Sequence, residues 1–120
     1  MTRPRVPRDV AELVRWRDRD QCQRCGVYTA GGSIHHRQGR GGDSPHSPAN
    51  LVLLCGSGTT GCHGWVHAHP AAAYAAGLMV RRLGILTPAE VPITTPRGEV
   101  YLLPDGSTSL TTHPMKETTA

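Results

Sequence analysis

Four cysteines constrain what this chain can fold into more than any other feature. Cys22 and Cys25 are two residues apart and are followed by Gly26, the arrangement of a zinc knuckle whose tight turn a glycine tolerates. Cys55 and Cys62 form a second pair with six residues between them, and Gly56, Gly58 and Gly61 let that loop bend both sulfurs inward. Together they make one four-thiolate tetrahedral set for a structural zinc. The 120 residues suit a single domain, but only 38% are hydrophobic and Phe is absent, so the core is thin and a staple is needed. A zinc of this kind contributes on the order of 10 kcal/mol to folding. The other readings of the cysteines are four buried free thiols, or disulfides in an oxidising compartment. Met1–Arg8 lacks the apolar core of a signal peptide, and the sequence holds no apolar run of transmembrane length. The expected location is cytoplasmic, where paired cysteines hold metal rather than each other.

Histidines are concentrated around the second cysteine pair. The stretch from Ser33 to His69 holds six of the seven. Ser33 to Arg37 reads as a short strand, Gly39–Gly42 as a flexible loop, Asp43–Pro48 as turns, and Asn50–Leu54 as a buried strand, which together predict an antiparallel hairpin. Cys62–Ala68 reads as a helix, with Pro70–Ala76 continuing it to Gly77 as the residue past its end. His63 and His67 then lie at i and i+4 on one helix face, the spacing with which two imidazoles grip one ion. Neighbours on a strand point to opposite faces, so His35 and His36 do not share an ion. His35 and His36 could instead join Cys22 and Cys25 as zinc ligands, but that leaves Cys55 and Cys62 without partners. His69 is an alternative to His67, although its spacing from His63 leaves the helical face. His46 reads as a solvated loop residue or a DNA contact, and His113 carries no argument.

Around this stretch, residues 1–8 read as a flexible basic arm. A helix is predicted to start at Asp9 as N-cap with Glu12 as its capping-box partner, and Val10, Leu13 and Val14 form its apolar face. Residues 78–83 are expected to be a strand, 84–98 an extended connector, and 99–103 a strand entering a turn. Residues 109–120 read as a disordered tail. The predicted domain is therefore 9–83, with 84–108 packed on it as an extended segment. Residues 1–40 carry nine arginines against four acids, while the remainder carries four basic residues against five acids. A basic front half favours an anionic partner, most simply nucleic acid, against the plainer reading of a solvated surface. Arg15 and Arg19 share a helix face and could reach phosphate or simply solvate the helix. Arg37 and Arg40 follow the histidine pair and read either as phosphate-binding residues or as surface charge.

The ordered set Cys-x2-Cys, His35-His36, Asn50-Leu-x-x-Leu-Cys, Cys62-His63 and His67 resembles the HNH endonucleases, the ββα-metal or His-Me finger nucleases, and among them the phage-type members with a four-cysteine zinc. The resemblance covers residues 22–67 and implies an α+β fold, a small zinc-stapled ββα-metal domain with a flanking helix and a C-terminal extension. It implies that His35 and His63 ligate a catalytic divalent metal, that His36 is the general base, and that Asn50 stabilises the loop between the strands and orients the base. His67 matches the additional helix histidine of colicin-type members, in which three imidazoles hold the ion. Imidazole ligands favour Mn, Ni, Co or Zn over Mg.

The expected activity is metal-dependent hydrolysis of phosphodiester bonds in DNA with low sequence specificity, by a monomer or weak dimer. The phage-type resemblance implies a role with terminase subunits in DNA packaging, or in homing or nicking. No membrane partner is expected. The reading from another class is a zinc-binding nucleic-acid module that does not cut. Its weakness is that His36, Asn50 and His63 occur together, and binding alone does not need a base.

Overall fold

The structure, a computed structural model, describes residues 5–39 and 44–110. It is a small α+β fold with three α-helices and two small sheets among the described residues: α1 (Arg8–Arg17), β1 (Ser33–His36), β2 (Leu51–Leu54), α2 (Gly61–Ala68), α3 (Pro70–Ala75), β3 (Ile93–Thr95), β4 (Gly98–Leu102) and β5 (Thr108–Ser109). β1 and β2 pair antiparallel, with His35 opposite Val52 and His36 opposite Leu51. The second sheet has the order β3-β4-β5. No helix among the described residues is long and apolar enough to cross a membrane.

β2 is the centre of the molecule. All four of its residues are buried, because both its faces are covered. Its edge away from β1 is closed by side chains and loop backbone instead of a third strand. Asp18 accepts from the Leu53 N–H at 3.0 Å, the Gln23 N–H donates to the Leu53 carbonyl, and Arg17 donates to the carbonyls of Leu51 and Pro48. Arg17 and Asp18 also form a bidentate pair, at 2.8 and 3.0 Å, with both side chains nearly inaccessible. The ends of this short strand therefore leave few backbone groups unsatisfied, which a two-stranded sheet cannot arrange by itself.

The core joins Cys22, Val52, Leu54, Cys62, Val66, Ala73, Leu78, Ile93 and Leu102. Two cysteines thus belong to the core, and the second sheet contributes Ile93 and Leu102 to the same cluster.

Several local expectations are corrected. The first helix starts two residues earlier than expected: its N-cap is Pro7, which makes no side-chain cap, and Glu12 pairs with Arg8 at 3.5 Å. Val14 is its fully buried residue, while Arg15 donates to the carbonyls of Ala30 and Gly32 and so is not a free phosphate contact. The second helical stretch is broken at His69 (φ −131°, ψ 65°), because a residue before proline is driven out of helical backbone. Gly77 does end α3, with φ +76°. A Cβ there would collide with the Pro92 carbonyl oxygen.

Residues 78–83 form no strand. Their backbone serves tertiary bonds: the Val80 N–H donates to the Arg37 carbonyl, and the Leu78 carbonyl accepts from His35. Within 84–98, expected to be a plain connector, Pro88–Glu90 is a turn of 3-10 helix capped by Thr87 and Glu90, and β3 follows. β4 and β5 then complete a hairpin where one strand was expected. Most of the expected arm and tail lies outside the described residues, as do Arg40 and His113.

Candidate metal centres

Two clusters of metal-ligating side chains form among the described residues, with ligand atoms in each lying within 4.8 Å of one another. The first is Cys22, Cys25, Cys55 and Cys62. The knuckle turn at Cys22–Gly26 brings in two sulfurs, with Gly26 at φ +84° and its N–H on the Cys22 carbonyl. The end of β2 supplies Cys55, and the first turn of α2 supplies Cys62. Cys25 and Cys55 have their sulfurs 3.9 Å apart. Two thiolates on one tetrahedral zinc stand roughly 3.8 Å apart, given Zn–S bonds of about 2.3 Å. Backbone N–H groups of Cys25 and Cys62 point at the sulfurs of Cys22 and Cys55. The four residues fit a structural zinc.

The electrostatics suit it as well. Burial opposes ionisation of Cys22, but backbone donors from Cys25, Cys55 and Arg24 outweigh it and bring the thiol down to about 7. Burial pushes Cys62 up to about 12 and raises Cys25, so these thiols ionise when a cation binds their sulfurs and displaces the protons into solvent. Arg24, inside the knuckle, donates to the Cys62 sulfur at 3.4 Å and lies 3.5 Å over the Trp65 ring. Four thiolates around a divalent ion leave two negative charges, and the guanidinium sits where it offsets part of them. Nothing in the sequence singled out Arg24, whose place depends on how the knuckle meets α2.

The second cluster is His35, His63 and His67. His63 and His67 fall one turn apart on α2, as their spacing predicts, and their Nε2 atoms are 3.2 Å apart. Two imidazole nitrogens sharing one tetrahedral ion at about 2.0–2.1 Å stand roughly 3.3–3.4 Å from each other. His35 comes across from β1, with ring centroids 5.1 and 5.6 Å from those of His63 and His67. Its Nε2 donates to the Leu78 carbonyl at 2.8 Å, which leaves Nδ1 as the atom with a lone pair. Burial pushes the His35 pKa down to about 4 and also lowers that of His63, so both are neutral at pH 7, as ligands must be. The Nδ1 of His63, the ring nitrogen not paired with His67, is buried and has no hydrogen-bond partner among the described residues. His69 stays out, stacked on Trp65 at 5.1 Å.

His36 emerges on the other side of β1, next to the cluster but not part of it. Asn50 is buried and uses its whole amide: Oδ1 accepts from the Gln38 N–H, and Nδ2 donates to the carbonyls of Gly39 and Pro45. It ties together the two sides of the loop between the strands. His46 is not the solvated loop residue expected. It is half-buried, with its Nδ1 3.2 Å from the Nε2 of His36.

Arg37 requires the largest correction. It does not face a phosphate; its side chain is buried, and its guanidinium donates to the carbonyls of Gly77, Ala49, Pro88 and Val91 at 2.6–2.9 Å. Burial, with Arg17 nearby, lowers its pKa to about 9, and it remains a cation at neutral pH.

In comparisons with known proteins, no family model matches the chain, and neither a curated protein nor a solved structure matches it.

Proposed function

We propose that the chain is a zinc-stapled HNH-type endonuclease of the ββα-metal class, which hydrolyses phosphodiester bonds in DNA. The observation that carries this reading is the convergence of His35 from β1 with His63 and His67 from α2, while His36 and Asn50 flank them on the same hairpin. A structural site needs none of these extra residues, because the four cysteines already hold the fold.

In this reading His35, His63 and His67 hold a divalent ion whose charge would neutralise the phosphate and assist the leaving oxygen. The chain's own residues do the rest. His36 accepts the proton of the attacking water, for which an imidazole is suited near neutral pH. Asn50 keeps the connecting loop closed on the strand that carries His36. The Leu78 carbonyl holds His35 in the orientation and tautomer a ligand needs. With Arg37 committed to carbonyls and no recognition helix among the described residues, substrate contact falls to the backbone of the duplex, which fits low sequence specificity. DNA packaging beside terminase, homing and nicking all remain compatible with this chemistry.

The test is plasmid cleavage by metal-stripped, zinc-stapled protein supplied with Mg, Mn, Ni, Co or Zn. Cutting with the transition metals, lost in a folded His36→Ala variant, is the expected result. Binding without cutting under every metal would replace the nuclease by a non-catalytic zinc-binding nucleic-acid module.

A further inference from the structure

We infer that His46 is a positioning residue for His36, locking its ring orientation and tautomer through the bond between the Nε2 of His36 and the Nδ1 of His46. This rests on the proposed role of His36 as general base.

The two nitrogens are 3.2 Å apart and the ring centroids 5.3 Å, at an interplanar angle of 64°. Two imidazoles in such contact share one proton, so one ring donates and the other accepts, and the tautomer of each depends on the other. A base on a strand needs such a partner. β1 fixes where His36 begins, but rotation about its side-chain bonds is restrained only by what the ring touches.

His46 can serve as that restraint because its own backbone is held. Ser44 and Ser47 close a turn around it, with the Ser47 N–H on the Ser44 carbonyl at 3.1 Å. Ser47 caps the short 3-10 turn Pro48–Asn50 that leads into β2. The carbonyl of Pro45, the residue before His46, accepts from the Asn50 amide at 3.0 Å. A chain of contacts thus runs from buried Asn50 to Pro45, to His46 and to His36. Asn50 therefore acts on the base through His46. His46 lies in none of the sequence motifs, and its bland reading as a solvated residue is inconsistent with its burial and its anchored turn.

The test uses zinc-loaded full-length protein and three forms: wild type, His46→Leu and His46→Asn. Asparagine places an amide atom close to where Nδ1 of histidine stands, whereas leucine fills the space without a polar atom. The His46→Leu variant is expected to lose about 10- to 100-fold in kcat with KM nearly unchanged, and His46→Asn to recover most of it. Long-range 15N spectra should show one fixed His36 tautomer in wild type and His46→Asn, and an averaged pair in His46→Leu. Equal kcat in all three with an unchanged His36 spectrum would overturn the inference while leaving the nuclease intact. An additional bound metal ion that disappears in His46→Leu would also overturn it, since the two rings would then be ligands. A wild type that shows the fixed tautomer but never cuts would defeat the nuclease, and with it the role given to His46. If His46→Leu fails to fold, His46→Asn against His46→Ser provides the same contrast in polarity and reach.

Discussion

Among single residues, His35 and His67 separate binding from folding. His67 is exposed, so His67→Ala removes a ligand at little cost to the fold. Elemental analysis of that variant should find about one tightly held ion per chain where wild type carries about two. His35 is 4% exposed and bonded to Leu78, so His35→Ala should lose the same ion and also about 1–3 kcal/mol of stability, read by denaturant unfolding. An unchanged metal content in His67→Ala would mean that His67 is not a ligand. His63 and His67 were legible because a helix repeats every three to four residues, and Asn50 through the resemblance. The Leu78 carbonyl and His46 were not, because neither sits at a fixed offset from the residue it contacts. Their roles arise where the chain returns upon itself. Arg37 shows the converse. An arginine just past a strand reads as a phosphate contact or as surface charge, and only the approach of α3 and of the Pro88–Glu90 turn surrounds it with carbonyls.

That arrangement makes Arg37 a device at the scale of elements. One guanidinium joins the end of α3 at Gly77, the 3-10 turn before β2 at Ala49, and the C-terminal segment at Pro88 and Val91. A planar fork with five donors can reach carbonyls in several directions, which an ammonium cannot. Arg37→Ala should therefore destabilise the zinc-loaded protein by about 3–5 kcal/mol, since four buried carbonyls lose their donors. Arg37→Lys should recover only part of this, and urea midpoints would measure both. Were Arg37 a phosphate contact instead, the same variants would weaken DNA binding and leave the midpoint unmoved. The strands and helices near the cysteines could be placed from sequence to within about a residue or two. After Gly77 only β4 could, expected at 99–103 and found at Gly98–Leu102; β3 and β5 are too short for a repeating pattern to show.

At the scale of the whole molecule, the cysteines and the core cannot be treated as separate supports. Cys22 and Cys62 are members of the cluster that also holds Val66, Leu78, Ile93 and Leu102, so removing the ion opens the centre that both sheets share. The histidine cluster differs, because its exposed member His67 can release an ion without disturbing that centre. Chelation should therefore proceed in two steps. A weak chelator is expected to take the histidine-bound ion and abolish cleavage while circular dichroism stays native. A strong one should take the cysteine-bound ion and unfold the chain cooperatively, the C-terminal sheet included. Trp65 reports the second step, since Arg24 lies over its ring and donates to the Cys62 sulfur. In a Trp16→Phe variant it is the one tryptophan left, and Trp16 is 77% exposed, so that change should be tolerated. Its fluorescence should stay constant through the first step and change with the second. Loss of both ions and of the fold in a single transition would mean that the two sites support the structure together, and that the histidine site is structural as well.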